Sequence, residues 1–163
     1  MKAKRIISFL VLVTVIFSVF SGCAADPVKT DVDNYLNNQM PTLYTMNKEI
    51  VNGFNAVVGE NYTDDATMLA AVADDLVPKA NDLLDKAIAI VPATPELTTV
   101  HDLFIIAASA KSVAMNELQA ALESGDGTGI AAANEMIAVA DQSSAVYTAA
   151  ITKLAETYGW KVN

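Results

Sequence analysis

The chain contains one cysteine, Cys23, one histidine, His101, one tryptophan, Trp160, and one arginine, Arg5. Each scarcity closes off a class of protein. A lone thiol forms no internal disulfide, so packing alone must hold the fold together. A lone histidine does not supply the two Glu-x-x-His pairs of a di-iron bundle. No serine or threonine has a second base available for nucleophilic catalysis. The glycine-bearing stretch "SGDGTGI" has no lysine with which to cradle phosphate, and the acidic residues do not follow the spacing of a calcium loop. Strand-type alternation of apolar and polar residues is absent. Aromatics make up 7% of a chain that is 53% apolar and rich in alanine, a composition that suits helices.

Long apolar runs are scarce too. The one that stands out is Ile6–Phe20, "IISFLVLVTVIFSVF", which follows the positive residues Lys2, Lys4 and Arg5. A membrane-crossing helix needs about 20 apolar residues. This run is shorter, and it reads as a secretory signal that is removed. It ends in the small residues Ser21 and Gly22, and the next residue is Cys23.

The stretch Phe20-Ser21-Gly22-Cys23 resembles the lipobox of bacterial lipoproteins, with Phe20 where that family prefers leucine. The resemblance implies lipidation of the Cys23 thiol, cleavage just before it, and acyl chains such as palmitate on the new N-terminus. Two acyl chains hold a protein stably on a membrane where one is marginal. The expected organisation is a signal peptide over 1–22, a short lipid-anchored tether over 23–29, and a helical domain over 30–163. Its expected location is the extracytoplasmic face of a bacterial cell membrane.

Without residues 1–22 the chain keeps seven basic against nineteen acidic residues, a net charge of −12, and no arginine. Such a surface repels phosphate backbones, so nucleic acid is excluded as a partner. The same acidity raises the option of weak calcium or magnesium binding by carboxylates.

Four segments carry apolar residues at three- and four-residue spacing. The first spans about 31–58, with Thr30 as cap and a stripe of Val32, Leu36, Met40, Leu43, Ile50, Phe54 and Val57. The second starts at Thr63 and ends before "VPATP". The third opens on Thr94-Pro95-Glu96, a cap followed by proline at the first helical position. The fourth covers about 129–158. Short links between helices of similar length predict an all-α, up-down-up-down antiparallel four-helix bundle. Length, lipobox and helix pattern together resemble helical-bundle lipoproteins of uncharacterised function.

Antiparallel reflection about the three links places candidate residues at common heights. Pro41 and Pro78 fall on one level, where two kinks would open a pocket lined by Leu43, Tyr44, Ala108 and Tyr147. Lys111 falls near Asp74, Asp75 and Asp141, a candidate charged cluster in which carboxylates compensate a lysine on the apolar side of its helix. The alternative is a lysine whose stem packs inward and whose ammonium reaches the surface. His101 reads as a core-edge histidine bonded to a neighbour; the alternative is a haem ligand, with Met40 the methionine nearest to it in height. The functional expectation is a non-enzymatic binding or envelope-associated module without a cofactor. Its partners would be the membrane through the lipid and either an envelope protein or a small apolar ligand.

Overall fold

Helix starts are set where a short polar side chain can accept from the free amides of a first turn. Asp26 does this for the first helix, accepting from the Val28 amide at 2.9 Å, with Pro27 in the first helical position. The helix therefore begins at Pro27 and not beyond Thr30, and residues 27–29, expected in the tether, are its first turn. The computed structural model describes residues 26–160. The expected signal peptide and lipidated Cys23 lie outside the described residues.

Four long helical stretches account for most of the chain, and no strand occurs among the described residues. Helix α1 spans 27–55 and is made of Pro27–Asn34, a π-helical turn Tyr35–Gln39, and Met40–Asn55. Helix α2 spans 65–89, with Asp65–Ala71, a second π-helical turn Val72–Leu76, and Val77–Ala89. Helices α3, Pro95–Ser124, and α4, Gly127–Thr157, are uninterrupted. Asp64 caps α2, one residue later than expected, and Asp126 caps α4. Hydrogen bonds from Thr67 and Thr128 hold these two carboxyls below the usual carboxylate range. Gly125, at φ 65°, supplies the left-handed residue that ends α3.

Both π turns sit immediately before a helical proline. Proline lacks an N–H and crowds the carbonyl four residues earlier. Widening the preceding turn relieves that crowding, and the amides of Met40 and Val77 reach back five residues, to Tyr35 and Val72. The extra residue rotates the apolar stripe. In α1 the buried positions run Val28, Val32 and Tyr35, then Met40, Leu43 and Ile50, while Leu36 is turned partly outward.

The prolines do not share a level. At Gly53 a Cβ would lie 2.8 Å from Leu76 Cδ2, and Lys79 pairs with Glu49 at 3.6 Å, so Pro78 lies beside residues 49–53 and not beside Pro41. The expectation of one shared kink is corrected. Its premise was a link that reverses the chain on the spot. Instead the segment between α1 and α2 carries the chain about nine residues of helical rise, ~13 Å, beyond the end of α1 before α2 begins.

A single core runs through all four helices. Helices α3 and α4 pack most closely, over small residues such as Ala107, Ala114, Ala121, Ala133 and Ala140. Helix α1 leans on α2, and its backbone makes little approach to that of α4. A buried polar contact ties the first turns of α1 to the start of α3: Asp31 Oδ2 accepts from the amide and hydroxyl of Thr94 at 2.8 and 2.7 Å. Thr94 thus spends its hydroxyl on Asp31 and does not cap its own helix. Replacing Asp31 with alanine is expected to lower stability by about 1–3 kcal/mol, because two buried donors lose their acceptor. Chemical denaturation of the variant checks this; a loss within error of zero rules it out.

Candidate functional site

The gap between α1 and α4, floored by α3, is where ionisable groups and aromatic rings collect. Its lower part holds a hydrogen-bonded chain that draws on every helix. The buried Nε2 of His101 lies 2.9 Å from the Ala87 carbonyl oxygen, which can only accept, so Nε2 carries the proton. The lone pair on Nδ1 then accepts from the Tyr35 hydroxyl at 2.9 Å. Tyr147 stands 3.4 Å from Tyr35 and 2.6 Å from Tyr44, so the run Tyr44, Tyr147, Tyr35, His101, Ala87 passes from the surface to the core. Tyr44 is 37% exposed, whereas Tyr35 and His101 are at 0% and 1%.

Phe104 binds the rings together. It stacks on His101 with centroids 6.2 Å apart and meets Tyr147 edge-on at 5.0 Å. Burial pushes the hydroxyls of Tyr35, Tyr44 and Tyr147 above the ordinary tyrosine value, so all three remain protonated donors near neutrality. Burial also pushes the His101 imidazole below its ordinary value, against the opposing effects of the Ala87 carbonyl and Asp102. A neutral ring is what this bonding pattern requires.

A cavity of about 90 Å³ opens beside these rings, lined by Tyr44, Asn47, Phe104, Ala108, Ser144 and Tyr147 among others. Three of the four residues expected around a pocket, Tyr44, Ala108 and Tyr147, meet here. Leu43 does not; it is buried in the core to one side. A second cavity of about 100 Å³ continues further along the same gap, between Ile50, Phe54, Lys111, Met115, Ile137 and Asp141 among others. Asn47 lines the lower cavity and Lys111 the upper, and the Lys111 ammonium donates to Asn47 Oδ1 at the boundary between them.

The expected charged cluster does not assemble. Asp74 and Asp75 are exposed, and Asp75 pairs with Lys79 at 2.9 Å, on the side of α2 that faces Glu49. Of the three carboxylates, Asp141 alone lies near Lys111, on the cavity rim. The cause is the same offset of α2 that separates the prolines. Lys111 is 6% exposed, and burial lowers its pKa while Asp141 opposes the shift.

The haem alternative does not fit the geometry. Iron needs a free imidazole lone pair, and both ring nitrogens of His101 are committed, while Met40 is buried in the core. Weak metal binding has no convergent site either: among the described residues no three carboxylate, imidazole or thiol side chains group to hold an ion. Tyr35 escaped the sequence reading because it lies one place off the regular stripe; the signal that points to it is Pro41, six residues on. Comparison of the chain with family models, with curated proteins and with solved structures finds no match among any of them.

His101 makes stability depend on pH in a defined direction. Its folded pKa is depressed, so the unfolded chain binds the proton more readily. Stability is complete above the unfolded value of about 6.5 and falls as pH drops below it toward the folded pKa. Thermal unfolding followed from pH 7.5 to 5 should show this decline, and the decline should flatten in His101→Leu. An unchanged pH profile in that variant would contradict the assignment.

Proposed function

We propose that the protein is a lipid-anchored, extracytoplasmic binding module without catalytic activity, an up-down-up-down antiparallel four-helix bundle that takes a small apolar ligand in the groove between α1 and α4. The observation that carries this reading is the groove itself: two adjoining, mostly apolar cavities, each with a few convergent polar groups, lie where two helices stand apart. Buried ionisable groups with shifted pKa values are concentrated there. An apolar cavity of about 150 Å³ takes up benzene, so each of these smaller volumes, about 90 and 100 Å³, suits a slim alkyl chain more than a ring.

The anchor reading rests on the stretch Phe20-Ser21-Gly22-Cys23 that resembles a lipobox and on the basic head and apolar run before it. No helix among the described residues is long and apolar enough to cross a membrane. The described chain starts at Asp26, and the Asp31–Thr94 bond brings the α2–α3 link to that same end. There Val91 is 82% exposed, with Ile88 exposed nearby, a pair suited to lie against the membrane that a Cys23 lipid would hold close.

Two measurements test the proposal. In a bacterial host, the protein should label with an alkyne analogue of palmitate and partition with membranes, and Cys23→Ala should abolish the labelling. Separately, Ser144→Phe, which fills the lower cavity from its half-buried wall, should reduce binding of a fluorescent apolar probe several-fold while the helical signal stays intact. Undiminished probe binding would remove the groove as the site.

A further inference from the structure

A cation, the Lys111 ammonium, stands at the centre of the groove. Lys111 is 6% exposed and projects from α3 between apolar residues of α1 and α4. An ammonium has three donors. The structure supplies one acceptor, the neutral Oδ1 of Asn47. Among the described residues no carboxylate lies within ion-pair distance, and the exposed Asp141 on the rim attracts the charge only from further away. Burying a cation without a counter-charge is strongly unfavourable, so a lysine kept in this position is set up for an anion that arrives from outside.

We infer that the upper cavity binds a small amphipathic monocarboxylate, its carboxylate on Lys111 beside Asn47 and its alkyl chain along Ile50, Phe54, Met115 and Ile137. This deepens the groove reading and rests on it. One buried cation balances one negative charge. A phosphate dianion would leave a charge uncompensated, would find no arginine among the described residues for bidentate contact, and would face Asp141 at the rim. The remaining lining is apolar, which sets the other half of the ligand. The ligand reaches the cavity beside Val51, Asn55 and Asp141, its exposed members.

The test titrates the full chain with sodium hexanoate, 1-hexanol and hexylamine, which share one alkyl chain and differ in head group. Binding is read by ligand-observed NMR saturation transfer and by the thermal midpoint. Hexanoate should bind about tenfold more tightly than hexanol, as expected for a charge-assisted bond to a buried lysine. Hexylamine should bind more weakly than either. Lys111→Met and Lys111→Gln, an apolar and a polar replacement of similar length, should both erase the preference for hexanoate. Equal binding of hexanol and hexanoate, tighter binding of hexylamine, or a preference that survives both substitutions overturns the inference. Equal binding leaves the groove intact as a binding surface. If none of the three binds and the apolar probe also fails, the groove reading falls with it.

Discussion

Phenylalanine in place of Tyr35 is expected to lower stability by about 2 kcal/mol, a large effect for the loss of one oxygen atom. The ring stays, so packing is conserved and the loss falls on hydrogen bonding alone. The Tyr35 hydroxyl donates to His101 Nδ1 at 2.9 Å and faces Tyr147 at 3.4 Å, in a region closed to water. Without it the Nδ1 lone pair is buried with no donor, and leaving a buried acceptor unsatisfied is worse than the net value of the bond it made. Tyr44→Phe provides the comparison. Its hydroxyl bonds the same Tyr147 at 2.6 Å, but the residue is partly exposed and water can replace it, so a loss below about 1 kcal/mol is expected. Urea denaturation at constant m measures both. A double-mutant cycle between Tyr35→Phe and His101→Leu should give a coupling of about 1 kcal/mol or more. Equal losses at positions 35 and 44, or additivity in the cycle, would show that the chain of rings is not an energetic unit.

The opposite sign is expected at Lys111. Methionine there should raise stability by about 1–3 kcal/mol, since it fills similar volume without burying a charge. For a domain of this size that corresponds to a rise in melting temperature of several degrees. The pH dependence separates charge from packing. Burial depresses the lysine pKa in the fold, and in the unfolded chain it is about 10.5. Below the folded pKa the full penalty of the buried charge applies. It fades as pH rises toward 10.5, where both states release the proton. The advantage of methionine should therefore be greatest near neutrality and shrink in alkaline buffer. A variant less stable than the parent at pH 7 would mean that Asn47 and Asp141 already compensate the ammonium. A gain in stability at Lys111→Met would accord with a ligand-binding role for the ammonium, as stabilising substitutions at binding groups commonly cost function.

How much of this was legible without coordinates depends on how local each feature is. Helix existence and most ends could be read directly. Thr94-Pro95 starts α3, Gly125 stops it, and the apolar spacing marks each segment, because caps, breakers and stripes act within one or two turns. The stretch Asp26-Pro27 carried the same signal as Thr94-Pro95 and places the start of α1 before Thr30. The position of Lys111 on an inner face was also readable, as was the common height of Tyr44, Ala108 and Tyr147, since α3 and α4 turn back on each other over a very short link.

Sequence alone thus determined the all-helical class, the acidic surface and the stretch that resembles a lipobox. Tertiary structure alone decided which side chains meet. The π turn ahead of Pro41 adds a residue to the stripe, so that Tyr35 and Met40, five residues apart, share the inner face and Leu36 does not. The climb between α1 and α2 puts Lys79 beside Glu49, carries Asp74 and Asp75 away from Lys111, and leaves Lys111 with Asn47. Each residue of relative shift moves a helix by about 1.5 Å and about a quarter turn, so a few residues of offset exchange every partner across an interface while every local signal stays the same.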